Sequence, residues 1–309
     1  MKAVRIHEYG GPEVLSIDEI PIPQPAPDEV LIKVHSTSVN PVDWKIREGQ
    51  RKDKFPAKLP LTLGWDVSGT VEEVGEKVSA FKKGDEVYGR PDPTENGAYA
   101  EYIVVKANII SVKPTSIGHT EAAAVPLAGL TAWQGLFDHG LLKSGQKVLI
   151  HAAAGGVGTY AVQFAKWKGA YVIGTASDTN TDFLKRLGVD EVIDYKMEDF
   201  ESVVKDVDLV LDTVGKETQL KSLNILKEGG RVITTLMPEF VAEAKDKKVQ
   251  LIGFMAQSIP AQLTEIAGLI DSGKLKPIID KVLPFTSAKQ AQTESEQGHT
   301  RGKIVLQVI

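Results

Sequence analysis

The most informative stretch of the chain is HAAAGGVGTYAVQFAK, His151–Lys166. It follows the apolar run Val148-Leu149-Ile150, so small residues open directly from a strand pattern into a helical one. Ala153, Gly155 and Gly158 fill the three places of a G-x-G-x-x-G turn. Gly155 would let a pyrophosphate approach the backbone, and Gly158 would let the helix pack on the strand. The helix N-terminus offers free N–H groups and a positive dipole end to an anion. The turn backbone Ala154, Gly155, Gly156, Val157 and Gly158 is therefore the candidate phosphate cradle. Ala153 in the first glycine place is tolerable if that residue needs no positive φ.

The surrounding pattern supports a dinucleotide site over bare strand–helix packing. Downstream, AYVIGTA, VDEVID, VDLVLDTV, GGRVITTL and VQLIGFM read as strands, alternating with helices at Thr181–Leu187, in ETQLKSLNIL and at Pro260–Ser272. Apolar strands alternating with helices imply a parallel sheet covered on both faces. Upstream the chain is β-rich: EVLIKVHS, GTVEEVG and DEVYG are short strands punctuated by glycine and proline. The last thirty or so residues, with KVLPFT and GKIVLQVI, revert to strand and are expected to complete that first domain. The expected organisation is an α/β Rossmann domain over 119–277 and a β-rich domain over 1–118 completed by 278–309.

The cofactor is read at the end of the strand after the turn, where an NAD site places Asp or Glu on the ribose 2′-hydroxyl. Here IGTASDTN puts Thr175, Ala176 and Ser177 at that point. A serine donates to a 2′-phosphate that a carboxylate would repel, so NADP(H) is expected. Asp178 keeps NAD open should the register slip by one residue.

Composition removes several classes of function. The 309 residues are 42% apolar and 25% charged, with 36 Lys+Arg against 41 Asp+Glu and a net charge of −5. No basic stripe marks a nucleic-acid surface, and the run Lys52-Asp53-Lys54 reads as a solvated loop. The chain has no cysteine, which excludes disulfides, thiolate catalysis and thiolate zinc sites and fits a cytoplasmic location. The N-terminus lacks a signal-peptide core, and no stretch is long enough to span a bilayer.

Beyond the turn, MKAVRIHEYGGPEVL, SVNPVDWKIREG, GWDVSGTVEEVG, GDEVYG, GAYAEY, AAAVPLAGLTAW and GKIVL occur in order along nearly the whole chain. In these motifs it resembles the zinc-independent quinone oxidoreductases of the medium-chain dehydrogenase/reductase family, the zeta-crystallin-like group. The resemblance implies a GroES-like catalytic domain, a Rossmann domain, and a cleft between them for nicotinamide and substrate. Zinc members of the wider family carry Cys in the motif SVNPVDW and a His-Glu pair in GWDVSG; here Trp65 and Asp66 stand for the pair, so no metal site is expected. His35 and His151, at strand ends, are read as structural.

By the same resemblance, Asn40 faces the nicotinamide ribose and the substrate, against a simple turn role before Pro41. Asp43 is an acid of that motif, against a helix cap. Thr131 lies near the nicotinamide and Tyr195 near the adenosine phosphate, against an ordinary strand-end tyrosine. Lys45 stands where several relatives have a tyrosine. Arg301 is a loose match to a phosphate contact, against a surface role. Trp44, Trp65, Leu236 and Met255 are candidate pocket walls, against core. The expected activity is hydride transfer from NADPH to a quinone or α,β-unsaturated carbonyl, with Asn40, Asp43 and Thr131 as the catalytic set. Enoyl or 2-alkenal reduction at the C=C bond, and a non-enzymatic NADPH-binding, redox-sensing or RNA-binding role, remain as alternatives. A homodimer through the edge strand VQLIGFMA is expected.

Overall fold

The computed structural model describes every residue except Arg51, Lys54, Phe55, Ala57 and Pro93. Lys54 of the charged run therefore lies outside the described residues, while Lys52 and Asp53 are exposed turn residues. Two compact units emerge, Met1–Leu127 with Ser258–Ile309, and Ala128–Gln257.

The strands of the first unit are β1 (Lys2–Ile6), β2 (Leu15–Glu19), β3 (Glu29–Ser38), β4 (Leu61–Thr62), β5 (Val67–Val74), β6 (Glu86–Gly89), β7 (Tyr102–Lys106) and β8 (Ile110–Val112). Those of the second are β9 (Lys147–Ile150), β10 (Tyr171–Ala176), β11 (Glu191–Asp194), β12 (Val207–Asp212), β13 (Leu226–Thr234) and β14 (Gln250–Gly253), after which β15 (Ile279–Pro284) and β16 (Lys303–Gln307) return to the first. The helices are α1 (Pro41–Arg47), α2 (His119–Ala122), α3 (Pro126–Trp133), α4 (Gly156–Trp167), α5 (Thr181–Leu187), α6 (Phe200–Val203), α7 (Glu217–Ser222), α8 (Val241–Asp246), α9 (Pro260–Asp271) and α10 (Ala288–Glu296).

In the first unit a seven-stranded sheet runs β15-β16-β3-β5-β6-β8, with β7 also on β3. Strand β3 is its hub. Its alternating Val30, Ile32 and Val34 are buried with Val67, Val71, Val87, Ile103 and Ile110, as period-2 patterning requires. Strand β16 pairs antiparallel to β3 with Val305 opposite Ser38, which brings the C-terminal strand into the N-terminal sheet. A second core joins Val4, Ile6, Val39, Ile46, Trp65, Tyr99, Phe285, Ile304 and Leu306. Fully burying side chains of this kind contributes about 1.5–3 kcal/mol each.

Two features differ from the sequence pattern. The segment 258–277, patterned like the alternating strands and helices before it, packs on the β-rich unit: Tyr88 donates to the Leu263 carbonyl at 2.5 Å, and Ser111 meets Thr264 at 2.9 Å. The C-terminal segment also contains α10, whose buried face is Ala288, Ala291 and Gln292. Two alanines and a glutamine give no apolar period to read. Helix α10 is fixed by the fully buried Arg47 of α1, which donates to Gln292 at 2.7 Å and Glu296 at 2.6 Å.

The second unit is a six-stranded, wholly parallel sheet in the order β11-β10-β9-β12-β13-β14. Counted from β9 the order is 3-2-1-4-5-6, the doubly wound arrangement whose ligands bind beyond the strand carboxyl ends, where the order reverses between β9 and β12. Strand β14 forms one edge.

Candidate active site

The sheet delivers His151–Gly155 to that switch point. Gly155 is the N-cap of α4, at φ −77° and ψ 179°. The positive φ in the turn falls on Ala152, at 50°, so Ala153 takes the first glycine place without strain. The two later glycines have different reasons. A Cβ on Gly158 would sit 2.7 Å from the Ala153 backbone, so close packing of helix on turn requires glycine there. A Cβ on Gly155 would meet only the Ala152 carbonyl at 3.3 Å, so internal packing leaves that face far more open. With no side-chain cap on a twelve-residue helix, the first N–H groups of α4 are left for an anion. Residues Ala154 to Gly158 thus fit a dinucleotide pyrophosphate.

A continuous hydrogen-bond chain runs from the turn to α7. The Ala152 N–H donates to Thr175 Oγ1 at 3.3 Å, and Thr175 Oγ1 meets His151 Nδ1 at 3.1 Å. His151 Nε2 meets Ser222 Oγ at 3.0 Å, and Ser222 donates to the Thr218 carbonyl at 2.7 Å. Because Ser222 gives its proton to Thr218, it accepts from His151, which fixes the imidazole as the neutral Nε2–H tautomer. Burial lowers the His151 pKa to about 4, against the pull of Asp212. Thr175, expected among cofactor contacts, is buried with its hydroxyl in this chain. Its role is support of the turn, through the hydroxyl and through its carbonyl, which accepts the Ala153 N–H at 3.0 Å.

Beyond β10, Ser177 Oγ accepts from Asn180 Nδ2 at 3.1 Å and lies 3.1 Å from Thr179 Oγ1. Tyr195 is 57% exposed, and its N–H donates to the Ala176 carbonyl at 3.2 Å, which sets it beside Ser177. Asp178 is exposed. At the end of β12, the buried Asp212 carboxylate accepts the Val214 and Gly215 N–H groups, each at 2.9 Å. Leu236 is half-buried over Gly215, Met255 is exposed, and Thr131 is buried on α3.

The first unit carries a second polar centre where β3, β5, β16 and α1 meet, with Asp43 and Asp66 fully buried and Asn40 at 4% exposure. Asn40 caps α1 in an extended conformation, and Asp43 accepts its backbone N–H at 2.9 Å. Asp43 also accepts from Tyr99 at 2.7 Å, while its Oδ1 is buried without a partner. Burial pushes the Asp43 carboxyl up to about 7 despite the Tyr99 and Asn40 hydrogen bonds that oppose it. Asp66, fully buried, accepts from Leu127 N at 2.7 Å, Ser38 Oγ at 2.5 Å and Asn40 Nδ2 at 2.7 Å. Lys303 donates to the Val39 carbonyl at 2.9 Å, to Asn40 Oδ1 and, at 3.4 Å, to Asp66. Burial lowers the Lys303 pKa, against the pull of Asp66 and Asp43.

Sequence reasoning reached Asn40 and Asp43 but missed Lys303, Ser38 and Tyr99. The available signal for Lys303 was a lysine at the head of the otherwise apolar strand GKIVL. Trp65, read as a possible pocket wall, is instead fully buried core, with Nε1 donating to the Asp92 carbonyl at 3.2 Å. Trp44 is half-buried, with Lys45 Nζ over its ring at 5.2 Å. Among the described residues, no group of three His, Asp or Glu side chains is placed to hold a metal ion, and no helix is long and apolar enough to cross a membrane.

The alcohol dehydrogenase GroES-like domain family matches residues 26–115, and the family described as zinc-binding dehydrogenase matches 187–306. The mitochondrial NAD(P)H oxidoreductase RTN4IP1 of Mus musculus is 37% identical over 100% of this chain and 89% of its own. This chain belongs to the medium-chain dehydrogenase/reductases, in the quinone oxidoreductase family. Within that family, the 2-methylene-furan-3-one reductase of Solanum lycopersicum is 36% identical, covering 100% of this chain and 79% of its own. The quinone oxidoreductase of Escherichia coli, solved in complex with NADPH, superposes with a TM-score of 0.90 at 29% identity and covers 100% of both chains. A medium-chain oxidoreductase using a nicotinamide cofactor is thereby established.

Proposed function

We propose that the protein is an NADPH-dependent reductase that delivers hydride to a quinone or an α,β-unsaturated carbonyl without zinc. The observation that carries this reading is the pair formed by a glycine-capped, side-chain-free helix N-terminus and Ser177, rather than a carboxylate, directly after β10. The first suits a pyrophosphate and the second a ribose 2′-phosphate. Tyr195 beside Ser177 suits the same phosphate end. The names of the tomato and Escherichia coli relatives support an enone and a quinone, respectively, as acceptor classes.

The residues at the family's zinc position do not fit a metal. Trp65 offers no lone pair, and both oxygens of Asp66 are already spent on four donors, one of them the Lys303 ammonium. A divalent cation there would have to displace Lys303.

When bound, the nicotinamide supplies the hydride, so that an acceptor gains two electrons and takes its further proton from water. The chain's part is positioning in a dry site. Asn40 spends one Nδ2 hydrogen on Asp66; the other makes only a 3.5 Å approach to the Ser38 carbonyl. That second hydrogen is the one Asn40 offers to an acceptor oxygen. Asp43 anchors the start of α1, and so the backbone of Asn40. Thr131 contributes to nicotinamide contact; Trp44, Leu236 and Met255 remain candidate apolar walls.

A homodimer through the β14 edge, a cytoplasmic location and the absence of a nucleic-acid or membrane partner belong to the same proposal. Light scattering and cell fractionation test the first two. Calorimetric titration tests the cofactor: tight binding of NADPH with much weaker NADH is expected, and preference for NADH contradicts it. NADPH binding without turnover on any acceptor would favour a non-enzymatic role. For an enone acceptor, a saturated carbonyl product marks reduction at the C=C bond.

A further inference from the structure

The centre around Asn40 contains two full charges that the hydride-transfer reading does not use. Lys303 and Asp66 approach at 3.4 Å and are both buried, with exposures of 3% and 0%. Burying an ion pair is a weak source of stability, since desolvation offsets most of the attraction. The placement of this pair around Asn40 is what distinguishes it. The Asn40 oxygen faces the ammonium and its amide nitrogen faces the carboxylate. Rotating the amide by half a turn would set N–H against ammonium and oxygen against carboxylate, a donor–donor and an acceptor–acceptor clash at once. The two charges therefore admit a single orientation of a side chain that would otherwise have two nearly isosteric ones. The Lys303 ammonium is itself held by three acceptors, Val39 O, Asn40 Oδ1 and Asp66 Oδ2.

We infer that Lys303 is a positioning residue for hydride transfer: with Asp66 it locks the Asn40 carboxamide so that one N–H is presented to the acceptor oxygen. This rests on the reading that Asn40 contacts the acceptor. Polarisation follows from the same contact. A cation on the amide oxygen draws electron density from the nitrogen and makes its remaining N–H a stronger donor.

The test is a mutant cycle read with NADPH and a small benzoquinone, together with NADPH affinity by fluorescence. Lys303→Met removes the lock but leaves the Asp66 charge buried alone, so Lys303→Met with Asp66→Asn is made as a variant that retains no unpaired charge. Both are expected to lose about 10- to 100-fold in kcat, with NADPH affinity within about twofold of wild type. Lys303→Arg is expected to recover most of the loss. In an Asn40→Ala background the lysine change should cost nothing further, because there is no amide left to orient. Lysine variants that turn over like wild type, or that cost the same factor with and without Asn40, overturn the inference. Asn40→Ala that retains wild-type kcat and KM strikes the reading of Asn40 itself. A damaged Asn40→Ala beside harmless lysine variants strikes only the role of Lys303.

Discussion

Lys303 and Asn40 are 263 residues apart in sequence, yet the lysine ammonium donates directly to the asparagine carboxamide oxygen. Strand β16 makes this possible by pairing with the end of β3, two residues before Asn40. The closing strand of the fold thus reaches the residue on which acceptor binding is proposed to depend.

The same centre carries a titration. Asp43 has its pKa pushed by burial from the ordinary 3.8 up to about 7. Between those values the unfolded chain has ionised this carboxyl and the folded chain has not, so the folded state binds the extra proton. Its contribution to stability is therefore full below the unfolded value and falls as pH rises, until it is lost above about 7. Asp43→Asn keeps an acceptor for Tyr99 and Asn40 but removes the titration. Between about pH 5 and pH 8 the melting temperature of the variant should gain on wild type by at least about 2 °C. A difference that does not move with pH contradicts this.

His151 should behave as a fixed neutral ring. Its pKa near 4 and its two hydroxyl partners predict an imidazole NMR signature of the Nε2–H tautomer that persists down to about pH 5. His151→Phe leaves Thr175 and Ser222 without their partner and releases the strained Ala152. NADPH affinity should fall by roughly 10-fold with kcat at saturating cofactor little changed, since the loss is in ground-state binding. A kcat loss with unchanged affinity would place His151 elsewhere in the mechanism.

The two glycines of the turn should separate fold from ligand. Gly158→Ala forces a Cβ to 2.7 Å from the Ala153 backbone and should destabilise the protein by about 1–3 kcal/mol. Gly155→Ala meets only one atom, at 3.3 Å, and should melt within about 2 °C of wild type while losing NADPH affinity. Equal effects of both on melting would remove Gly155 as a ligand position.

Ser177 should set the cofactor. Ser177→Asp places a carboxylate against the ribose 2′ position and should weaken NADPH by about 10-fold or more while sparing NADH, because like charges repel at that range. Unchanged preference would move 2′-phosphate recognition away from β10.

The Rossmann unit was legible because its signals are local. Val148–Ile150, the small-residue turn and the run into α4 are contiguous, and each strand that follows carries its own short apolar core, such as Leu209–Leu211 and Val232–Ile233. The β-rich unit was legible as a composition, and the return of GKIVL to it was expected from strand pattern alone. What escaped depends on partners distant in sequence. Lys303 reads as a surface cation until β16 is laid against β3. Thr175 and Ser177, two residues apart, looked alike as hydroxyls, and only the strand register turns the first under the loop and leaves the second beyond the strand end. Trp65 looked like either wall or core, and the packing of Ile6, Tyr99 and Ile304 decides for core.

Hydride transfer from NADPH to an electron-poor acceptor through a zinc-free site is the proposed activity. Its most direct test is NADPH oxidation by the purified, chelator-treated protein with a panel of quinones and α,β-unsaturated carbonyls, with products identified. Stoichiometric oxidation of NADPH is expected, with hydroquinone or saturated carbonyl formed at an undiminished rate after chelation. No oxidation with any acceptor, or activity that returns only on adding zinc, would contradict it.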